Sequence, residues 1–208
     1  MNIPIVFEDN WLVVVDKPSG LLVIPTPKKE SRTLTSILND DLAERKIAYR
    51  LHPCHRLDRG TSGLMIYAKG KSIQDKMMEE FKQRRVKKTY LAFVQGSFSK
   101  NAGQITVPIE GKPATTQYKV IEKRKGFVIV EVNPLTGRTN QIRIHFADAG
   151  HPILGEDRFV FRRDMALRAK RLCLHARKIE FLHPVSKKSI ILDTDLPKEM
   201  KAFLDTHD

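Results

Sequence analysis

Residues 55–68 read His55-Arg56-Leu57-Asp58-Arg59-Gly60-Thr61-Ser62-Gly63, followed by Leu64-Met65-Ile66-Tyr67-Ala68. The apolar second part predicts a buried β-strand. The first part surrounds one acid, Asp58, with bases, hydroxyls and glycines, and it predicts a loop that leads into this strand. Loops of this kind often carry catalytic or binding residues. On this pattern alone Asp58 has two open interpretations, a reactive acid in a shaped loop and a surface acid paired with an arginine.

The chain before this loop indicates a hairpin and a helix. Apolar runs at 3–7 and 11–15 are separated by Glu8-Asp9-Asn10, which is typical of a β-hairpin turn. Thr33 is suited to cap a helix, because apolar residues recur at helical spacing after it, namely Leu34, Ile37, Leu38 and Leu42. The chain therefore contains both strands and helices before it reaches Asp58.

Strands and helices also mix without regular alternation after the loop. We expect strands around 90–94 and at 104–109, 115–121, 127–132, 172–181 and 190–192. We expect helices capped by Ser72, from Thr139 to about Ala149, and from Pro197 through Leu204. This order predicts an α+β fold with a mixed, mainly antiparallel β-sheet core and flanking helices. One face of such a sheet is open to a partner, and a basic cleft across it would suit a folded RNA.

The charge balance favours a polyanionic partner. The 208 residues include 37 Lys and Arg against 24 Asp and Glu, a formal net charge of +13, with basic clusters at 84–88 and 162–171. Such charge indicates nucleic acid first, with simple solubility or a membrane surface as alternatives. No apolar run reaches membrane-spanning length, and the cysteines, Cys54 and Cys173, lack disulfide-framework or zinc spacing. We therefore expect a cytoplasmic RNA-binding protein in which Cys54 packs rather than reacts.

Asp58 stands without the partners that metal and phosphate sites require. No second carboxylate, His–Cys cluster or glycine-rich phosphate cradle lies near it in the sequence. A lone carboxylate acts as a base or as a nucleophile, and a neighbouring cation keeps it ionised by lowering its pKa. Arg143, the second arginine of the segment 136–143, is a candidate for that cation. Phosphate contact and solvation remain alternatives for Arg143.

The segment His55–Leu64 closely resembles the catalytic motif of the RluA-type pseudouridine synthases. The other motifs of that family have counterparts here in the same order: Asp16–Gly20, Lys88–Gly96, Thr136–Arg143 with Gly150–Gly155, and Leu174–Ala176 with His183-Pro184. The resemblance spans nearly the whole chain.

The resemblance implies that the chain isomerises uridine to pseudouridine in structured ribosomal or transfer RNA, without a metal or cofactor. It implies that Asp58 is the nucleophile or base, that Tyr90 stacks on the target uracil, and that Arg143 pairs with Asp58 and holds it charged. Arg56 is implied to enter the RNA stack when the target base flips out. We also expect Arg59 and Arg138, which lie in basic segments, to bind RNA.

Two positions depart from the family pattern. Asn140 stands where the family often has histidine, and Phe159 where tyrosine is common. We expect residues 1–208 to form a single catalytic domain without a separate N-terminal RNA-binding domain, and to act as a monomer. The alternative is a catalytically silent RNA-binding or ribosome-assembly protein with the same fold.

Overall fold

The computed structural model describes residues 2–207, apart from the side chain of Arg162. The described chain forms two compact units. The first contains the residues up to Lys87 together with Lys178–Thr194, and the second contains Lys88–Arg177 together with the residues from Asp195 onward. The single catalytic domain expected from the sequence stays a prediction.

Ten strands and four α-helices make up the regular structure of the described residues. The strands are β1 Ile5–Glu8, β2 Leu12–Lys17, β3 Leu51–Pro53, β4 Ser62–Lys69, β5 Lys87–Gln95, β6 Ala102–Ile105, β7 Thr116–Arg124, β8 Phe127–Pro134, β9 Leu174–Leu182 and β10 Ser189–Asp193. The helices are α1 Leu34–Glu44, α2 Lys71–Lys82, α3 Gln141–Asp148 and α4 Lys198–Asp205. The α+β class with a mainly antiparallel sheet and flanking helices is confirmed.

Strand β4 is the centre of the first unit. It pairs antiparallel with β2 and, near its end, with β3, while β1 pairs with the other edge of β2. Residues 62–68 of β4 are all buried, which explains why the strand is continuously apolar rather than alternating. Leu64 and Ile66 pack in one core with Met77 of α2 and with Ile179 and Phe181 of β9. The buried strand predicted after the Asp58 loop is therefore confirmed.

The second unit is an antiparallel sheet in the order β5-β8-β7-β6. Its core contains three aromatic rings, with centroid separations of 5.9 Å between Phe93 and Phe127, 6.1 Å between Phe93 and Phe203, and 5.5 Å between Phe127 and Phe203. Phe203 belongs to α4, so burial of its ring holds this helix on the sheet strands β5 and β8.

Some predicted boundaries are wrong for local reasons. Helix α2 begins at Lys71 with Gly70 as its N-cap, and not after Ser72. Strand β6 ends at Ile105 and does not reach 109, because Pro108 cannot donate to a sheet ladder. The helix capped by Thr33 is confirmed, with a reciprocal capping box between Thr33 and Ser36. None of the helices in the described part of the chain has both the length and the hydropathy needed to span a bilayer.

Gly155 provides a test of the second unit's packing. Its φ is +79°, and a Cβ atom there would lie 1.9 Å from the carbonyl oxygen of Arg171. Gly150 has nearly the same φ, +77°, but no atom within 4 Å of such a Cβ. We expect Gly150→Ala to cost about 1–2 kcal/mol of unfolding free energy, the backbone penalty alone. Gly155→Ala should cost clearly more, above about 3 kcal/mol, because the backbone must also shift. Urea denaturation of both variants measures the difference, and equal losses would contradict the close approach.

Candidate active site

Asp58 lies in the loop between β3 and β4, as the sequence predicts. Its side chain is half-buried, while those of Arg56 and Arg59 are exposed and Leu57 is buried. The backbone N–H of Thr61 donates to the carbonyl oxygen of Asp58 at 3.1 Å and closes a tight turn. The turn therefore fixes the backbone of Asp58, and the loop leaves Arg56 and Arg59 exposed.

The turn that follows β2 anchors this loop. The ammonium group of Lys17, fully buried, donates to the carbonyl oxygens of Leu21 at 2.7 Å, Pro18 at 2.9 Å and Arg59 at 3.3 Å. The hydroxyl of Ser19 donates to the carbonyl oxygen of Gly60 at 2.7 Å.

A reciprocal pair of bonds completes the anchor. The N–H of Gly20 donates to the carbonyl oxygen of Arg59 at 2.8 Å, and Nε of Arg59 donates to the carbonyl oxygen of Gly20 at 3.1 Å. The two residues after Asp58 are thus held by one turn, and this limits the positions that the acid can take.

The residues before Asp58 tie the loop to β4. The N–H of Ile66 donates to Nε2 of His55 at 3.1 Å, so Nε2 carries no proton in this bond. Cys54 is buried in the core, and burial raises the pKa of its thiol to about 12. A thiol with that pKa stays protonated at neutral pH, which agrees with packing rather than nucleophilic chemistry.

Tyr90 lies in β5 of the second unit. It pairs with Val132 of β8, and its side chain is 7% exposed. The adjacent Thr89 accepts a hydrogen bond at its Oγ1 from the side-chain amide of Asn133 at 2.9 Å. The sheet thus holds the tyrosine on a rigid strand rather than on a loop.

Arg143 lies in α3 of the same unit and is bound to Glu156 through two parallel hydrogen bonds. Its Nε donates to Oε2 at 2.8 Å, and its Nη2 donates to Oε1 at 2.7 Å. Its Nη1 donates to Oδ1 of Asn140 at 3.0 Å. These bonds fix the plane and direction of the guanidinium group.

Asn140 has a second structural task at the start of α3. Its φ is 54° and ψ 21°, the left-handed conformation, so the helix begins at Gln141 and not at Thr139. Asparagine tolerates this conformation better than most residues. The departure from histidine at 140 therefore leaves a residue that both turns the chain and binds Arg143.

Glu156 is a buried ionised acid. Burial acts to raise its pKa, but the hydrogen bonds from Arg143 and from the backbone N–H of Arg158 outweigh this effect and hold the pKa below its ordinary value. Its Oε1 accepts from the N–H of Arg158 at 2.9 Å and of Asp157 at 3.1 Å. One carboxylate therefore orders both the arginine and the turn after Gly155.

Phe159 completes the surroundings of Arg143. The guanidinium carbon lies 5.1 Å from the centroid of the Phe159 ring, within the range of a cation–π interaction. This contact uses the face of the ring and needs no hydroxyl, so phenylalanine is sufficient for it.

Gln141 fixes the segment that carries Arg138. Its side-chain amide donates to the carbonyl oxygen of Thr115 at 2.9 Å and to Oγ1 of Thr116 at 3.0 Å. Its amide oxygen accepts from Oγ1 of Thr136 at 2.7 Å and from the N–H of Arg138 at 3.0 Å. Arg138 itself is exposed. A buried amide with all these bonds made holds this turn rigidly.

The basic segment 84–88 contains one arginine with a structural role. Arg85 binds the buried Glu80 through Nε at 2.6 Å and Nη2 at 2.8 Å. This ion pair ties Arg85 to the first unit, while its side chain stays 42% exposed at the surface. Across residues 2–207 no group of three or more His, Cys, Asp or Glu side chains is arranged to hold a metal ion.

The predicted residues fall into two groups. Arg56, Asp58 and Arg59 share the β3–β4 loop of the first unit, while Tyr90 on β5 and the two arginines, Arg138 and Arg143, near the start of α3 belong to the second.

Sequence reasoning assigned no role to Lys17, Gln141 or Glu156. The only indication in the sequence that Glu156 has a structural role is that it directly follows Gly155. Nothing in the sequence showed that it binds an arginine 13 residues earlier.

The Arg143–Glu156 pair generates a pH-dependent prediction. The side chains are 10% and 0% exposed, and removing one partner of a buried pair costs about 3–5 kcal/mol. We expect Glu156→Gln to lower the unfolding free energy by about that amount at pH 7. The lowered pKa makes the carboxylate's contribution complete above its ordinary value of 4.5 and lost as the pH falls through the folded-state value. The difference between wild type and variant should therefore shrink in acid.

Urea denaturation from pH 7 down to pH 4 and below measures this effect. Glu110→Gln, at an exposed glutamate of the same unit, is the matched control and should change little at any pH. A constant difference between wild type and Glu156→Gln across this range would contradict an ionised Glu156.

The chain is similar in sequence to proteins named as pseudouridine synthases. It is 35% identical to Ribosomal large subunit pseudouridine synthase D of Nitrosomonas europaea over 96% of its own length, and it spans 64% of that protein. It is 32% identical to Dual-specificity RNA pseudouridine synthase RluA of Vibrio cholerae over 88% of its own length and 79% of that protein.

A solved structure agrees with the sequence comparisons. The fold matches that of Human RNA Pseudouridylate Synthase Domain Containing 4 with a TM-score of 0.81 at 26% identity, over 97% of this chain and 92% of that one. A family model described as RNA pseudouridylate synthase matches residues 11–148, a span that contains Asp58, Tyr90 and Arg143. The resemblance seen in the motifs is confirmed, and the chain belongs to the RNA pseudouridylate synthase family.

Proposed function

We propose that this chain isomerises specific uridines of structured RNA to pseudouridine, with Asp58 as the reacting acid. The observation that carries the proposal is the anchored Asp58 loop, whose backbone is held by Lys17, Ser19 and Gly20 within the span that the family model matches. A single carboxylate so positioned is suited to nucleophilic or base catalysis without a second acid.

The reaction breaks the bond between the ribose C1′ and N1 of uracil and forms a bond between C1′ and C5. C5 loses a proton and N1 gains one, so the reaction requires no added reactant. Asp58 either attacks C1′ as a nucleophile or removes a ribose proton to give a glycal. Both routes use the ionised carboxylate.

We assign supporting roles to two residues of the second unit. Tyr90 stacks on the uracil and takes part in proton transfer at C5. Its placement on a strand, 7% exposed, suits a ring that must stay in position while the base turns. Arg143 keeps the reacting carboxylate ionised, and its bonds to Glu156 and Asn140 orient it for this task.

RNA binding in this proposal depends on exposed arginines. A stacked uridine must leave its helix to react, and the gap it leaves needs to be filled. Arg56, two residues before the acid, is exposed, and a guanidinium plane stacks on bases. Arg59 and Arg138 contribute contacts to phosphates, as the net charge of +13 favours.

The relatives support RNA as the partner. One has a name that specifies the large ribosomal subunit, and the name of another specifies dual specificity. We propose ribosomal or transfer RNA as the substrate, a cytoplasmic location where both occur, and action as a monomer.

Replacing Asp58 tests the proposal. We expect wild-type protein to form pseudouridine in unmodified transcripts of ribosomal or transfer RNA in the presence of a chelator, because the chemistry uses a carboxylate. Asp58→Asn keeps the size of the side chain but cannot ionise, so we expect no pseudouridine above the enzyme-free control. Digestion and mass spectrometry measure the product. Asp40→Asn, at an exposed acid of the first unit, should leave turnover unchanged.

The same experiment distinguishes the enzyme from a silent RNA-binding protein. RNA binding by both wild type and Asp58→Asn, with no product from either on any of the transcripts, would overturn the proposed activity. Product from Asp58→Asn at the wild-type rate would remove the carboxylate from the mechanism.

Tyr90→Phe tests the tyrosine hydroxyl. The variant keeps the ring, so binding should persist, while loss of general acid–base catalysis should lower the single-turnover rate by about 10²–10⁴-fold. Tyr118→Phe, on strand β7 with its ring against Phe98 and Phe146, is the matched control and should react like wild type. An undiminished rate for Tyr90→Phe would limit Tyr90 to stacking.

A further inference from the structure

A cavity of about 350 Å³ lies beside the Asp58 loop, within the first unit. Gly20, Leu21, Leu22, Glu30, Ser31, Arg32 and Arg59 line it. No motif of the family resemblance includes residues 21–32, so no role was assigned to this segment.

Two arginines line this cavity. Arg32 and Arg59 are both exposed, and Nε of Arg59 is held by the carbonyl oxygen of Gly20 at 3.1 Å. Arg59 is therefore anchored at one side of the cavity through Nε, and the other N–H groups of a guanidinium can bind an anion. Guanidinium groups bind phosphate oxygens through parallel hydrogen bonds.

One fixed carboxylate shares the cavity with the arginines. Oε2 of Glu30 accepts from the backbone N–H of Thr26 at 2.9 Å, and Thr26 Oγ1 donates to the same carboxylate at 2.8 Å. The hydrogen bond from the Thr26 backbone is the main reason that the pKa of Glu30 lies below its ordinary value, with Arg59 a weaker attraction. An ionised carboxylate accepts several hydrogen bonds, so Glu30 can also accept from an N–H or O–H of a ligand.

The remaining lining suits an aromatic base. Leu21 is buried and Leu22 half-buried, which gives the cavity an apolar surface between its charged groups. Phosphate-binding arginines, an acceptor and an apolar surface within one cavity match the three parts of a nucleotide. A simple inorganic anion would use the arginines alone.

The cavity and the catalytic loop share a wall. Arg59 follows Asp58 directly, and Lys17 binds the carbonyl oxygens of both Leu21 and Arg59. Asp58 and a residue that lines the cavity are therefore direct neighbours, with Cα atoms about 3.8 Å apart. An RNA chain that places its uridine at Asp58 thus also lies close to the cavity.

We propose that this cavity binds a nucleotide of the substrate RNA that neighbours the target uridine. Its phosphate binds Arg32 and Arg59, its base lies on Leu22, and a donor of its ribose or base binds Glu30. This inference rests on the proposed function, because that function supplies the RNA. The cavity then selects uridines by the nucleotide beside them.

Arg32→Ala tests the subsite. On an unmodified transcript that wild type converts, we expect KM to rise about tenfold, the loss expected for one charge-assisted phosphate contact, with kcat within twofold of wild type. The slope of log affinity against log salt should fall by about 0.7–0.9. Glu30→Gln should also raise KM, because one acceptor oxygen becomes a donor.

Arg45→Ala is the matched control. Arg45 lies just after α1, is exposed and pairs with Asp41, and does not line the cavity. It removes the same charge from the same unit, so a general electrostatic effect would appear in both variants. Equal KM and equal salt slope for Arg32→Ala and Arg45→Ala would overturn the subsite while leaving the proposed function intact.

Equilibrium binding separates the two proposals. If wild type converts no RNA but Arg32→Ala alone weakens binding to the transcripts, the proposed activity fails and the subsite stands. Free uridine, cytidine, adenosine and guanosine 5′-monophosphates are titrated in parallel, with the leucine methyl signals of the cavity followed by NMR. Weak, millimolar binding supports an RNA subsite. Saturation at micromolar concentration would instead indicate a site for a free nucleotide and overturn the RNA assignment.

Discussion

The buried ammonium group of Lys17 is the constraint on which the Asp58 loop depends. A charge without exposure to water is tolerated only when its hydrogen bonds are made, and here backbone carbonyls of the 18–21 turn and of Arg59 accept them. The turn and the loop are therefore held together, because separating them would break the bond from the ammonium group to the carbonyl oxygen of Arg59. The Ser19 and Gly20 bonds act in the same direction. A loop otherwise free to fluctuate is thus coupled to the stability of strand β2.

The second unit also contains a buried charge that hydrogen bonds hold in place, the guanidinium group of Arg143. A buried arginine is fixed by a buried acid, and that acid is kept ionised by the arginine and by backbone N–H groups. The arrangement is rigid because neither charge can move without leaving the other unpaired. Asn140 adds a contact from the residue that turns the chain into α3. Each unit therefore has a buried charge that holds a segment in place, Lys17 through carbonyl oxygens and Arg143 through a carboxylate.

Sequence patterns predicted the features that short segments determine. The apolar run from Leu64 predicted a buried strand, and Thr33 predicted a helix cap. The polar residues before Leu64 predicted that Asp58 lies in a loop. Predictions were wrong or incomplete where distant residues decide the outcome. The three-residue strand β3 is too short to show alternation, and the start of α3 depends on a left-handed Asn140. Glu156 was missed because its role is defined by Arg143, and Lys17 because a lysine in an apolar strand gives no sign that carbonyl groups surround it.

The proposed division between catalysis and RNA recognition rests on where the residues lie. Asp58, Tyr90 and Arg143 belong to motifs that resemble the family, and their backbones lie in an anchored loop, a strand and a helix. The cavity residues of 21–32 lie outside those motifs, in an irregular segment whose arginine is exposed. An exposed side chain in a loop can change without loss of packing, whereas Lys17 or Glu156 cannot. Members of one family can therefore keep the reaction and change the target, if the nucleotide beside the uridine is read by such a segment.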